Sequence, residues 1–431
     1  MPSPVALIAF LLPMTAAIAV ALTLSTGPAG GQTLPARDAA ARDAAARDAA
    51  ACVRPGHWLS ATPGMAGEPG PTFVPRPPAE IIAAAARRPV VLLGEHHDSA
   101  DHHRWQLQVL AALHAQRADL VIGFEMFPRR VQPALDRWVA GELSEAEFLR
   151  LSEWNRVWGF DPQLYLPLFH FARLNRIPMI ALNVERSLVR KVGAGGWDSV
   201  PEAQREGVGR AAPPASAYTA RLRETFEMHL PRGAGSAPMA DADVRFNRFL
   251  EAQLTWDRAM AEALARRARG PTPPLVVGVM GSGHLQFGQG VPEQLRALGI
   301  ADAYTMMPFD ATAGEDCTKP PAGLAHSVFV LPAARNTARG PRLGISMTGS
   351  AGSGGSDGQL RIEKVVADSL AERSGLRAGD RIQRVAGSGV RSAEDVTAAI
   401  RDQPPGTVLP IVVQRDGREM EVLVRFPPRA P

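Results

Sequence analysis

The chain has 431 residues, a formal net charge of +4 and 45% hydrophobic residues, so it is longer than one ordinary domain and apolar enough to fill a core. Its positive charge is nearly all arginine; lysine stands only at Lys191, Lys319 and Lys364. No basic stripe with interleaved aromatics is present, which argues against nucleic acid as a partner.

At the N-terminus, Val5 to Leu24 form an uncharged apolar run broken only by Pro13 and small or hydroxyl residues. It is long enough to span a bilayer and reads as an export signal or a retained signal anchor. Residues 1–32 are therefore set apart, and the protein is expected to be exported, periplasmic or held at the cell envelope. The next segment, 33–79, opens with Ala-Arg-Asp-Ala-Ala repeated over 36–50, a spacer or tether. It continues rich in Pro and Gly from 53 and is expected to wrap the surface. The two cysteines, Cys52 and Cys317, bracket the first domain, so either a staple joining its ends or two separate thiols is open. Cys52 lies far beyond the apolar run and is not read as a lipoprotein cleavage site.

Residues 80–311 alternate strand and helix patterns. Apolar runs at 89–94, 119–125, 177–183 and 274–281, separated by helical periodicity, predict an α/β domain with a mostly parallel sheet covered on both faces. The helical stretch 200–270 is too long for a simple crossover and is expected to form a subdomain over the sheet edge. A linker occupies 312–340, within which His326 to Pro332 can return a strand, and a last module occupies 341–428.

Each of the four apolar runs ends in polar groups. The first leads into Gly94-Glu95-His96-His97-Asp98, the second ends at Glu125, the third at Asn183, and the fourth leads into Gly281-Ser282-Gly283-His284. Ligands of an open parallel sheet sit beyond the carboxyl ends of its strands, so Glu95, His97, Glu125, Asn183 and His284 are expected at one rim. Imidazole with carboxylate suits a first-row metal or acid–base work. Gathering such groups is costly unless something pairs with them. No Gly-x-Ser-x-Gly nucleophile motif is found.

These segments carry a family resemblance. Val90 to Asp98 followed by His102-His103, Gly123-Phe-Glu-Met-Phe127, Trp158-Gly-Phe-Asp161 with Tyr165-Leu-Pro-Leu168, Ala181-Leu-Asn183, Trp256-Asp257 and Gly281-Ser-Gly-His-Leu285 resemble ChaN-like proteins of the Tiki superfamily. The resemblance implies haem binding and iron uptake, with Glu95, His97, Glu125 and His284 as central residues. It also leaves open a metal-dependent hydrolase of protease or esterase type, in which His97 and His284 hold a divalent metal with Glu95 and Glu125 and a metal-bound water attacks a carbonyl. Covalent c-type haem is excluded, since there is no Cys-x-x-Cys-His. For haem the resemblance points to a tyrosine ligand, with Tyr165 first among Tyr165, Tyr218 and Tyr304; His103, His229 and Asn183 are further candidate contacts. Trp154, Trp158 and Phe160 are open to stacking on a porphyrin or to packing a subdomain.

The last module resembles a bacterial PDZ β-sandwich over 341–428, most specifically in Ala371-Glu-Arg-Ser-Gly-Leu-Arg-Ala-Gly-Asp-Arg-Ile382. Leu343, Gly344 and Ile345 are expected to receive a peptide carboxylate, and Val396 and Ile400 to line its pocket, the peptide adding as a strand. Expected partners are thus haem or a metal ion, a peptide or protein C-terminus, the membrane through residues 5–24, and a second copy of the chain.

Overall fold

The computed structural model describes residues 54–62, 73–228, 239–312, 319–333, 342–348, 360–390, 392–401 and 403–428. The apolar run 5–24, the repeat, Cys52, Cys317 and His229 lie outside the described residues. Among the described helices none is long and apolar enough to cross a membrane.

The first domain is an eight-stranded sheet: β1 (Trp58–Ala61), β2 (Phe73–Pro75), β3 (Val90–Glu95), β4 (Leu120–Pro128), β5 (Met179–Asn183), β6 (Leu275–Gly281), β7 (Ala303–Asp310) and β8 (Ser327–Leu331). Their order across the sheet is β2-β1-β8-β7-β3-β6-β4-β5. The six strands from β8 to β5 are parallel, and β1 and β2 close one edge antiparallel. The segment expected only to wrap the surface therefore supplies the edge strand β2 and its neighbour β1, and β8, the returning strand expected between His326 and Pro332, carries the sheet past residue 311.

Period-two alternation distributes the core. Val91, Leu93, Ile122, Phe124, Val277 and Val279 face one layer, while Val90, Leu92, Val121, Val276 and Met280 face the other. The first layer is built from α1 (Pro78–Ala86), α2 (Ala100–Gln116), α3 (Gln132–Ala140), α4 (Glu145–Leu151), α5 (Trp154–Val157) and α6 (Pro162–Leu174). The second holds α7 (Arg186–Gly195), α8 (Ser216–Met228), α9 (Met239–Arg267) and α10 (Val291–Ala297). The long helix α9 packs Met260, Ala261 and Leu264 on the sheet beside its edge strand β5, since those positions form one apolar stripe. Only its N-terminal half joins α8 in a separate small cluster around Tyr218 and Phe246.

The C-terminal module is antiparallel and β-rich: β9 (Ile345–Thr348), β10 (Leu360–Val365), α11 (Leu370–Arg373), β11 (Arg381–Val385), β12 (Ser388–Gly389), α12 (Ala393–Arg401), β13 (Val408–Arg415) and β14 (Arg418–Arg425). The strand order is β14-β13-β11-β10-β9, which leaves β9 at an edge. Asp416 and Gly417, both at positive φ, close the β13–β14 hairpin. Buried Asp380 ties the module together by accepting two 2.7 Å bonds from Arg415 and one of 2.8 Å from the Arg377 amide.

Gly123 shows how tightly β4 and β5 are seated. A Cβ there would lie 2.5 Å from Leu182 Cδ2. Gly123→Ala is expected to destabilise the first domain by about 1–3 kcal/mol through overpacking, read as a lower urea midpoint at unchanged slope.

Candidate functional site

β3, β6 and β4 are neighbours in the sheet, so their carboxyl ends meet. Glu95 is the last residue of β3 and lies in register with Gly281, the last of β6. Glu125 lies near the end of β4, and the turn after Gly281 carries His284. Glu95 and Glu125 are each only 1% exposed.

Two imidazole–carboxylate groups result. In the first, His97 Nδ1 donates to Glu95 Oε1 at 2.6 Å. The His97 ring stays partly open, meets the edge of Trp158 at 4.7 Å between centroids, and has Phe160 at 5.2 Å. In the second, His284 stands between two carboxylates, with Nδ1 2.6 Å from Asp257 Oδ1 and Nε2 3.4 Å from Glu125 Oε1. The Gly281 amide donates to Glu125 Oε2 at 2.7 Å, and the Tyr218 hydroxyl to Asp257 Oδ2 at 2.7 Å. Gly281 brings the groups together: a Cβ there would lie 2.8 Å from His97 Cε1 and 3.6 Å from Glu125 Oε2.

Electrostatics follow from this packing. Burial alone would lower the His284 pKa, but Glu125 and Asp257 outweigh it and push the pKa up to about 10. Burial would raise that of Glu125, yet His284, His97 and the Gly281 amide hold it below its ordinary range. His97 is likewise raised: burial works against the cation, and Glu95 more than offsets that. An imidazolium fixed between two carboxylates is a poor general base, which counts against water activation by His284.

The other predicted residues take different places. Tyr165 is fully buried; its hydroxyl donates to Glu95 Oε1 at 3.4 Å and to the His97 carbonyl at 3.3 Å. Burial pushes its phenol far above the ordinary value, so a phenolate ligand is disfavoured. His103 is 3% exposed, lies against Tyr165, pairs with Gln106 Oε1 at 3.1 Å and sits 3.3 Å from Glu95 Oε2, with burial lowering its pKa. It braces the Glu95 carboxylate from behind. Asn183 donates to the Glu125 carbonyl at 3.0 Å and accepts from the Val184 amide at 2.8 Å, a brace on two backbones.

The proposed metal set is not gathered around one point. Among the described residues, ligand-type atoms from three such side chains lie within 4.8 Å of one another only at His96, His102 and Asp310. There the His96 amide donates to His102 Nδ1 at 2.9 Å, and His102 Nε2 faces Asp310 at 3.2 Å. With Nδ1 accepting, the ring proton of neutral His102 sits on Nε2 and points at Asp310, so Nε2 has no lone pair for an ion. His102 is thus held between the His96 backbone and the Asp310 carboxylate.

The sequence marks Asp257 and Gly281 only as members of motifs and Tyr218 only as an alternative tyrosine ligand; their part in the site was not legible there. Asp257 did carry a signal, since it precedes Met260 by three and Leu264 by seven on the apolar stripe of α9. A carboxylate at such a position is buried and needs a partner.

A cavity of about 1610 Å³ opens beside the cluster. Its wall includes Trp158, which touches His97, and Trp256, which touches His284 at 5.4 Å. Arg150, Arg156, Arg186 and Arg190 line it, and Val385, Ser392 and Asp395 of the C-terminal module complete it.

Comparison with known proteins follows the two-part division. The family described as haem-binding uptake, Tiki superfamily, ChaN matches residues 81–295, and a PDZ domain family matches 361–415. The solved structure "Cofacial heme binding to ChaN of Campylobacter jejuni" is 16% identical, with 64% of this chain and 98% of that one covered at a TM-score of 0.47. A serine endoprotease from Yersinia pestis is 23% identical over 20% of this chain and 29% of its own, at a TM-score of 0.17. The HtrA3 PDZ domain bound to a phage-derived ligand is 20% identical over 20% of this chain and 82% of its own, at a TM-score of 0.18. No curated protein matches.

The His284 assignment has a direct readout. Because its pKa is raised, the stability it contributes is full below the ordinary histidine value and is lost as pH rises through about 10. Ring ¹⁵N shifts are expected to show His284 doubly protonated at pH 8, and Asp257→Asn to bring its titration down. A neutral ring at pH 8 in the wild type contradicts the assignment.

Proposed function

We propose that this chain, whose residues 81–295 are a ChaN-like haem-binding-uptake domain of the Tiki superfamily and whose residues 361–415 belong to a PDZ domain, binds haem in the cavity beside His97 and a partner's C-terminal peptide on the PDZ module. The observation that carries the reading is the cavity itself. Its wall is partly apolar and aromatic, including Trp158 and Trp256, and carries four arginines beside three acids, Glu153, Glu185 and Asp395, with Arg156 paired to Glu153. That combination suits a flat apolar ring bearing carboxylates, and the volume is ample for one.

The donor set narrows the iron ligand. Tyr165, Tyr218 and Tyr304 are all buried, and each hydroxyl is engaged. The expected tyrosinate therefore does not fit. His97 does: it is partly open, adjoins Trp158 in the cavity wall, and has Glu95 on Nδ1 to fix its tautomer and raise its basicity. When bound, the haem would supply an iron centre, which His97 would hold. The protein's part is to hold the imidazole, place cations near the carboxylates and exclude water with its tryptophans.

On the PDZ module, the free edge of β9 supports peptide addition as a strand. Gly344 lies at φ +80°, and a Cβ there would meet Ser369 Cβ at 2.4 Å, so the loop before β9 needs glycine. Leu343, Val396 and Ile400 are buried in the module's core and would form the pocket floor. The apolar run 5–24 supports export, and with the haem site it supports a part in haem or iron handling at the envelope.

Hemin titration of the purified chain tests the haem reading. A shifted Soret band is expected, with His97→Ala weakening binding at least tenfold and Tyr165→Phe near wild type. Since iron takes the neutral ring and the His97 pKa is raised, affinity is expected to rise as pH climbs past the ordinary histidine value. An unshifted band, or loss in Tyr165→Phe alone, overturns the assignment. Gly344→Val is expected to abolish binding of C-terminal peptides selected on the wild-type chain, measured by fluorescence anisotropy.

A further inference from the structure

Helix α12 presents three faces. Val396 and Ile400 enter the core of the PDZ module. One flank, Ser392, Asp395 and Ala399, looks into the large cavity beside the β11–β12 turn. On the opposite flank stand Ala393, Thr397 and Arg401. Part of this flank is already occupied. Arg401 Nη2 donates to the Gly159 carbonyl at 2.7 Å, and Asn155 and Gly159 share a small cleft of about 110 Å³ with Ala393, Thr397 and Arg401.

The covering segment also walls the histidine site. Trp158 and Phe160, on either side of Gly159, are the rings that contact His97. Gly159 itself is at φ +83°, a conformation open to glycine, so the turn carrying both contacts is set by one residue. A single stretch, 154–160, thus touches the PDZ helix with its backbone and His97 with its side chains.

We infer that the segment Trp154–Phe160 is shared between the two modules, so that a peptide entering between β9 and α12 displaces it and loosens the wall over His97. The sign is negative coupling: peptide and the closed His97 site disfavour one another, and by linkage the effect is reciprocal. The peptide half rests on the PDZ reading above, whereas the link from α12 to His97 does not require any ligand.

The test uses the full chain. Arg401→Ala removes the bond to Gly159 and leaves His97, its carboxylate and the cavity tryptophans in place. Hydrogen exchange over 154–160 is expected to quicken at least threefold, and the His97 ring resonances to shift, with unchanged helix content by circular dichroism. Exchange and His97 resonances identical to wild type overturn the coupling. Peptide entry is tested separately with a phage-displayed library of free C-termini panned on both proteins. Peptides recovered on Arg401→Ala are expected to bind it at least threefold more tightly than wild type, and equal affinity overturns the competition. If neither protein yields a binder, the peptide reading falls, while the exchange and resonance data still decide the link to His97.

Discussion

Three carboxylates, Glu95, Glu125 and Asp257, are almost fully buried at one rim of the parallel sheet, and the architecture around them exists to neutralise them. An unpaired buried charge costs far more than one side chain's packing returns. His97 and His284 supply countercharge, and the Gly281 amide and Tyr218 hydroxyl supply further hydrogen bonds. This explains why three strands converge in register here and why a glycine ends β6. Any larger residue at 281 would press on the His97 ring, whose Cε1 a Cβ would meet at 2.8 Å.

The balance is incomplete by design of the residues present. Glu95 Oε2 is buried without a hydrogen-bond partner, and His103 Nε2 faces it at 3.3 Å. Burial lowers the His103 pKa, and its Nε2 lies equally close, at 3.3 Å, to the His97 carbonyl. The site is thus poised electrostatically even though its shape is fixed by packing. Its open element is the His97 ring, bordered by aromatic side chains that belong to the short segment after α4. That segment joins the electrostatics of the rim to the C-terminal module.

The location of the candidate rim was legible because its residues lie at ends of apolar runs, and strand ends in a parallel sheet share a side. Glu95, Glu125 and His284 could be read this way from Gly94-Glu95, Phe124-Glu125 and Gly283-His284. Roles within the rim were not legible. Tyr165 and His103 have the chemistry of iron ligands, yet both are packed behind Glu95. Their helices turn those side chains inward, and no spacing in one sequence reveals which face of a helix meets a strand end, 70 residues away in the case of Tyr165. Asp257 was hidden for the converse reason: it is an acid in a long polar helix, and only the seating of α9 on the sheet makes it a partner of His284.

By itself the sequence determined the layered α/β domain, the order of its central strands along the chain and the antiparallel C-terminal module, because periodicity and turn chemistry are local properties of the backbone. Which strands lie side by side, which of several histidines faces open space, and which segment bridges the two modules were decided only by tertiary structure. Those outcomes depend on charge pairing and steric fit between residues far apart in the chain, and such terms acquire a value only once the distances between them are set.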